Sequence, residues 1–327
     1  MREKLKNFWP YVVSFILLVL LFSRIDYKDT WGAVKTADIK YLIAAFFVLM
    51  LTNAMILWRW IILMKALNLK FKRFNSSRWF FLGQFFNLVL PSSVGGDFFK
   101  GLGLSKETGY KPKVFASIVL DRLVGFVAIV LVASISFFFS RKIIHNQVVA
   151  VSILCMVSGS IMVAVVLFSH RLFSWFCKAF KAWPRIKDGL MALHYDLVLM
   201  KGKFKEAVGT IVLSSLAQVI FSFEFYLIAK GMHLHVAFVY FIIFSPLVCV
   251  VSSLPSIGGL GVREFGWVSL LLILGVHKET SFGLSLISYI LMVLSGLLGG
   301  LFYVTTLSSR RVQYYQTDAP LKPRHTG

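Results

Sequence analysis

Apolar residues in this chain come in long runs, with the polar positions gathered between them. Phe8 to Ser23, Tyr41 to Met64, Val114 to Phe139, Val148 to Phe168, Ala207 to Lys230 and Phe282 to Leu307 read as spanning helices, since a helix needs roughly 20 apolar residues to cross a bilayer. Two further units are apolar but interrupted. The arm from Trp79 to Leu90 stops at Pro91, and the arm from Phe238 to Ser253 stops just before Pro255, with Phe265 to Val276 resuming beyond it. Twelve residues at ~1.5 Å each reach only ~18 Å, short of a hydrocarbon core of ~30 Å, so the arms do not cross singly.

The two interruptions share a phrase. Leu90-Pro91-Ser92-Ser93-Val94-Gly95-Gly96-Asp97 returns as Leu254-Pro255-Ser256-Ile257-Gly258-Gly259-Leu260-Gly261, followed by Arg263 and Glu264; the offset, 254 − 90 = 164, is half of 327 residues. Proline cannot donate a backbone hydrogen bond, and paired glycines favour irregular backbone over helix. Such breaks survive at membrane depth only inside protein or beside a wet cavity, so two matching breaks point to a site between the halves.

Loop charge orients the spans. Arg2, Lys4 and Lys6 precede the first run and no small-residue cleavage site follows it, so it is expected to be an uncleaved span with a cytoplasmic N-terminus. Residues 24 to 40 are expected outside. Lys65, Lys70, Lys72 and Arg73 precede the first broken unit, and Lys100, Lys106, Lys111 and Lys113 follow its break, so residues 79 to 104 are expected to be a re-entrant hairpin entering from the cytoplasm. Arg310 and Arg311 place the C-terminus inside as well. The expected fold is an all-α polytopic membrane protein with six full spans and two re-entrant broken hairpins in an inverted-topology repeat. It forms one transmembrane domain over 1–307, with half-repeats 8–139 and 148–307 and a tail, 308–327, expected to be disordered. Three spans per half is an odd number, so the second hairpin enters from outside. A plainer reading stays open, in which the second unit is one bent span and the shared phrase is coincidence. Residues 170 to 205 carry apolar positions three and four apart, which predicts amphipathic helices on the membrane surface or, alternatively, a partner-docking helix.

Composition agrees with the pattern: 58% of residues are hydrophobic and 15% charged. The 35 Lys and Arg against 14 Asp and Glu give a formal +21, and the bases cluster beside apolar segments. Anionic lipid headgroups account for that distribution better than nucleic acid does. Cys155, Cys177 and Cys249 are scattered, and only His233 and His235 are close among the histidines, so neither a metal nor a cofactor is expected. No G-x-x-x-x-G-K-[ST] loop occurs.

Ionisable side chains within membrane segments cost on the order of 2.5–3.5 kcal/mol each at the centre, so each needs a reason. The candidates are Arg59, Asp97, Lys100, Asp121, Arg122, Glu224, Arg263 and Glu264. Arg59, flanked by Trp58 and Trp60 near a cytoplasmic end, is read as snorkelling. Asp97 with Lys100 and Arg263 with Glu264 put an acid and a base beside each break. Lys100, Arg122 and Arg263, with the amides of Gly95, Gly96, Gly258 and Gly259, are expected to meet a phosphate. Asp97, Asp121, Glu224 and Glu264 are expected to meet a cationic group or carry a proton. Asp121 and Arg122 point about 100° apart on a helix, so one of them either meets substrate or anchors a hairpin. Gly296 and Gly300 form a small-xxx-small face for a contact within the chain or in a homodimer.

The two phrases above, with Lys100 after the first and Leu120-Asp121-Arg122-Leu123-Val124-Gly125 between them, resemble the flippase-like transmembrane domain of lysylphosphatidylglycerol synthases and their stand-alone relatives, over about residues 8 to 307. Lys100 stands where relatives often have Arg, giving a point charge in place of a bidentate clamp. The resemblance implies movement of a lipid, such as aminoacylated phosphatidylglycerol, across a prokaryotic cell membrane. Two-part relatives carry a soluble aminoacyl-transferase domain, for which this chain has no room, so lipid synthesis is not expected. Two readings stay open beside translocation: a membrane-embedded headgroup transferase using Asp97 or Asp121 as general base, and a non-catalytic partner in lipid or polysaccharide synthesis.

Overall fold

A computed structural model describes residues 27–89, 95–140, 147–169, 171, 202–252 and 261–317 of the protein. Ten helices, and no strands, occur among the described residues: α1 (Tyr27–Lys35), α2 (Ile39–Ala66), α3 (Arg73–Val89), α4 (Gly95–Thr108), α5 (Lys111–Ser140), α6 (Gln147–Phe168), α7 (Phe204–Gly231), α8 (Phe238–Ser252), α9 (Val262–Leu272) and α10 (Lys278–Thr317). Segments within α2, α5, α7 and α10 are long and apolar enough to cross a membrane. The chain is an all-helical, multi-pass membrane protein. The run at Val148 to Phe168 forms α6, whereas the run at Phe8 to Ser23 and nearly all of the 170–205 segment lie outside the described residues; of the tail expected to be disordered, 308–327, the part up to Thr317 continues α10 as helix and the rest lies outside the described residues. Helix α1 falls where the charge pattern indicated only an outer loop, and it packs on the start of α10.

Helices α2 and α7 lie antiparallel and are tied at both ends. Asp38 caps α2 with its side chain, accepting from the Lys40 amide at 2.9 Å, while its own amide donates to the Gly231 carbonyl at the end of α7. At the opposite end Lys203 donates to the Asn68 side chain at 3.3 Å. Both helices close the same way: Asn68 and His233 adopt left-handed φ values of 52° and 60°, and the next amides, of Leu69 and Leu234, donate back to Met64 and Ala229.

Each broken unit is an antiparallel helix pair. In the first, the Gly96 amide donates to the Asn87 side chain near the break, and Glu107 accepts from Arg78 and the Trp79 indole at the base. A Cβ on Gly96 would land on the Gly83 carbonyl, so the two backbones touch there only because both residues are glycine. In the second pair, Gly266 of α9 packs on Val248 of α8, and the Phe241 and Trp267 rings lie 5.9 Å apart.

Two apolar cores hold these pairs apart. Around the first, Trp60, Leu63 and Met64 of α2 meet Phe80, Leu104 and the early α5 residues Val114, Ile118 and Leu120. Around the second, the other end of α2 (Ala45, Leu49) and of α5 (Val130, Ala133) meets Phe225, Phe241, Trp267 and Leu284. The hairpins therefore occupy opposite ends of the helices they share. Helix α10 joins them: its first half packs on α9, and the glycine face at 296, 299 and 300 receives Leu88, the Phe81 backbone and the Phe85 ring of α3. That face is filled within the chain. Phe47, Phe139, Leu154 and Val212 point outward, as the apolar surface of a lipid-facing bundle does.

Candidate functional site

The first charged group assembles where α4 passes α2 and α5. Asp97 sits in the first turn of α4, and its carboxylate receives the Arg122 Nε at 2.6 Å and lies 3.7 Å from the Lys100 ammonium one turn on. Lys100 is buried, with its ammonium 3.9 Å above the Trp60 ring and 5.5 Å from the Phe80 ring, so two aromatic faces shield what Asp97 leaves uncompensated. Asp121 is also buried and takes the Arg59 Nε at 2.7 Å. Arg59 in turn donates to the Ser214 hydroxyl of α7 at 3.2 Å, and Gly125 leaves room for the guanidinium. Three bases thus face two acids.

Arg59 overturns its snorkelling assignment. Only 7% exposed, it reaches inward to the carboxylate on α5 rather than outward to the interface. The signal was present as depth: Arg59 lies seven residues before the end of α2, and Asp121 ten after the start of α5, at the end both share with the first hairpin. Asp121 and Arg122, adjacent in sequence, divide as their 100° separation requires. Asp121 turns into the bundle, while the Arg122 side chain is 58% exposed. Phe98 and Phe99, on the turn beside Asp97, are exposed too.

The second group assembles where α9 meets α10. Glu264 bonds Arg263 and accepts the Gly261 amide at 2.6 Å, sealing the start of α9. Arg263 also donates to Ser285 at 3.3 Å and stacks 4.9 Å from the Tyr289 ring. Glu224 of α7 is wholly buried, touches the Ser288 hydroxyl at 3.4 Å and lies within electrostatic reach of Arg263. A polar set beside it joins Gln218, Ser222 and Ser245, the last two hydroxyls 2.6 Å apart.

The sequence-derived residues thus come together as two groups. Lys100, Arg122, Asp97 and Asp121 share the first; Arg263, Glu264 and Glu224 share the second. Ser214 and Glu224 are ten residues apart on α7, about 15 Å at ~1.5 Å per residue. Gly95 opens α4, and the Gly96 amide is taken by Asn87. Pro91, Pro255, Gly258 and Gly259 lie outside the described residues. Nothing in the sequence singles out Ser214, Ser285 or Ser288, since serine inside an apolar helix carries no periodic signal. Gln84 and Asn53 join α3, α2 and α10 through Ser295, with contacts of 3.1 and 3.0 Å. Among the described residues no group of three or more His, Cys, Asp or Glu side chains could hold a metal ion.

Comparison with known proteins agrees with this picture. A family model described as the lysylphosphatidylglycerol synthase TM region matches residues 7–300. A UPF0104 membrane protein of Pyrococcus horikoshii is 22% identical over 330 residues, covering 91% of this chain and 96% of the relative. No solved structure matches.

Proposed function

The chain belongs to the lysylphosphatidylglycerol synthase transmembrane-region family, and from that premise we propose that it carries an anionic phospholipid or lipid-linked headgroup across the prokaryotic cell membrane. The two broken units act as re-entrant hairpins of an inverted repeat, and both termini face the cytoplasm. One observation carries the reading. Arg122 lies nine residues beyond Lys113 at the membrane edge of α5, about 13 Å deep at ~1.5 Å per residue, yet its side chain is 58% exposed. A guanidinium facing hydrocarbon at that depth would be costly, on the order of 2.5–3.5 kcal/mol. A lipid phosphate, or water that a headgroup displaces, removes the cost.

The surrounding group suits that ligand. Its formal surplus of one positive charge leaves room for one phosphate negative charge. Asp97 holds Arg122 through its Nε, and an exposed guanidinium is a planar, always-charged donor group of the kind that recognises phosphate oxygens. The lipid tails stay in the bilayer beside exposed Phe98 and Phe99 while the headgroup uses the charged group. The test is mass spectrometry of lipids that copurify with the wild type and with Arg122→Ala. Enrichment of one anionic lipid class in the wild type, and its loss in the variant, supports the reading. Equal, bulk-like lipid in both proteins overturns it.

A further inference from the structure

Glu224 is the one carboxylate of the second group that the surrounding protein leaves incompletely satisfied. Glu264 is fully engaged, with one oxygen on the Gly261 amide and the other on Arg263. Arg263 is already divided between Glu264, Ser285 and the Tyr289 ring. Glu224 is 0% exposed, its Oε1 has a single long contact with Ser288, and its Oε2 has no hydrogen-bond partner among the described residues. A buried carboxylate held by one 3.4 Å contact keeps its charge only at a high desolvation cost, whereas a carboxylic acid at the same place is neutral and has a proton to donate. Among the described residues the charged or titratable groups around it are Arg263 and Glu264 on α9, the Cys249 thiol on α8 and, stacked on Arg263, Tyr289 on α10. The charges on α2 and α5, Arg59 and Asp121, belong to the first group.

We propose that Glu224 is a proton-binding site that couples lipid movement to protons. This rests on the translocation reading above. Protonation adds one proton from water to the carboxylate and leaves Arg263 with Glu264 as its acidic partner among the described residues. Loss of the proton returns a second carboxylate to the reach of Arg263. The base that anchors the start of α9 is then drawn between two acids, one on its own helix and one on α7. Proton occupancy is thereby linked to the position of the second hairpin relative to α7, while the ligand engages the first hairpin at the opposite end.

Two measurements test this separately. The first is infrared difference spectroscopy of purified protein across a pH titration, which reads protonated buried carboxyls directly. A carboxylic-acid stretching band should appear in the wild type, vanish in Glu224→Gln, persist in Glu264→Gln and change frequency in Ser288→Ala, which removes the only hydrogen-bonding neighbour among the described residues. The proton site is refuted if no such band is present at any pH, or if Glu224→Gln or, should that variant not fold, Ser288→Ala leaves it unaltered. The second uses vesicles containing a fluorescent phosphatidylglycerol. A difference of one pH unit biases a one-proton step about tenfold, so an imposed gradient should drive wild-type accumulation of the probe on one leaflet by up to that factor, and Glu224→Gln should lose the bias. Unbiased transport in the wild type refutes coupling alone. A band with no transport of any anionic lipid probe also refutes coupling, and it counts against the translocation reading while leaving the proton site intact.

Discussion

Cutting the Arg59–Asp121 pair tests whether the first group is held by charge. The two side chains are 9% and 7% exposed and 2.7 Å apart, so neither has water to fall back on. With charge centres about 4 Å apart and an effective dielectric constant of ~20, their attraction is worth about 4 kcal/mol. Removing one partner of such a buried pair typically costs about 3–5 kcal/mol, because the other charge stays buried. The two single variants should differ. Arg59→Gln leaves two bases and two acids, while Asp121→Asn leaves three bases on Asp97 alone. Asp121→Asn should therefore be the more damaging. In a chain of this length a kilocalorie moves Tm by about 2 °C, so Asp121→Asn should lower it by ~6–10 °C in detergent, followed by tryptophan fluorescence. The double variant Arg59→Met, Asp121→Leu should recover most of the loss, since a packed apolar pair avoids desolvation. A shift below about 2 °C for Asp121→Asn, or a double variant whose loss equals the two single losses added, would refute the argument.

Two further outcomes follow from the packing and the proposed topology. Gly299→Ala should cost on the order of 2–3 kcal/mol in unfolding measurements, because its Cβ would meet the backbone carbonyl of Phe81; Gly266→Ala, nearest the movable Val248 methyl at 3.3 Å, should cost less than about 1 kcal/mol. In a chain with Cys155, Cys177 and Cys249 changed to serine, Lys106→Cys at the base of the first hairpin should react with an impermeant maleimide only from the cytoplasm and His277→Cys, beyond the second, only from outside. Labelling of both from one side would sink the inverted arrangement.

Span length and loop charge made the helical, multi-pass fold legible, because bilayer thickness imposes itself on composition directly. Helix pairs at both interrupted units were legible for the same reason: arms of fifteen and eleven residues, as in α8 and α9, are too short to cross. What the sequence hid was partner choice. Arg59 between two tryptophans has the local signature of an interfacial anchor, and only the packing of α2 on α5 reveals Asp121 at the same level. Gly296 and Gly300 announce a close helix contact but not its occupant, which proves to be α3. Lys100 was legible as a charge at a break; its enclosure by Trp60 and Phe80 depends on how α4 turns back.

The two groups are unlike, and α7 is the element that touches both. Thr210, Ser214, Gln218 and Ser222 recur every four residues and are all buried, so they form a polar stripe on one side of an otherwise apolar helix. At one end Ser214 accepts from Arg59; further along, Gln218 and Ser222 engage Ser245 of the second hairpin. Thr210, Ser214 and Ser222 also donate to carbonyls of α7 itself, which makes them inexpensive to bury and leaves the helix unbroken. A helix hydrogen-bonded to Arg59 of the first group and to Ser245 of the second hairpin is placed to feel a shift at either. On the proposed reading, then, a headgroup that draws Asp97 and the first hairpin away from Arg122 of α5 also disturbs the neighbouring Asp121–Arg59 pair and, through Ser214, the contacts of α7. A proton at Glu224 changes what the second hairpin can answer with. The coupling needs no continuous channel of charge between the two ends, only one helix that holds Arg59 of the first group and Ser245 of the second hairpin at once.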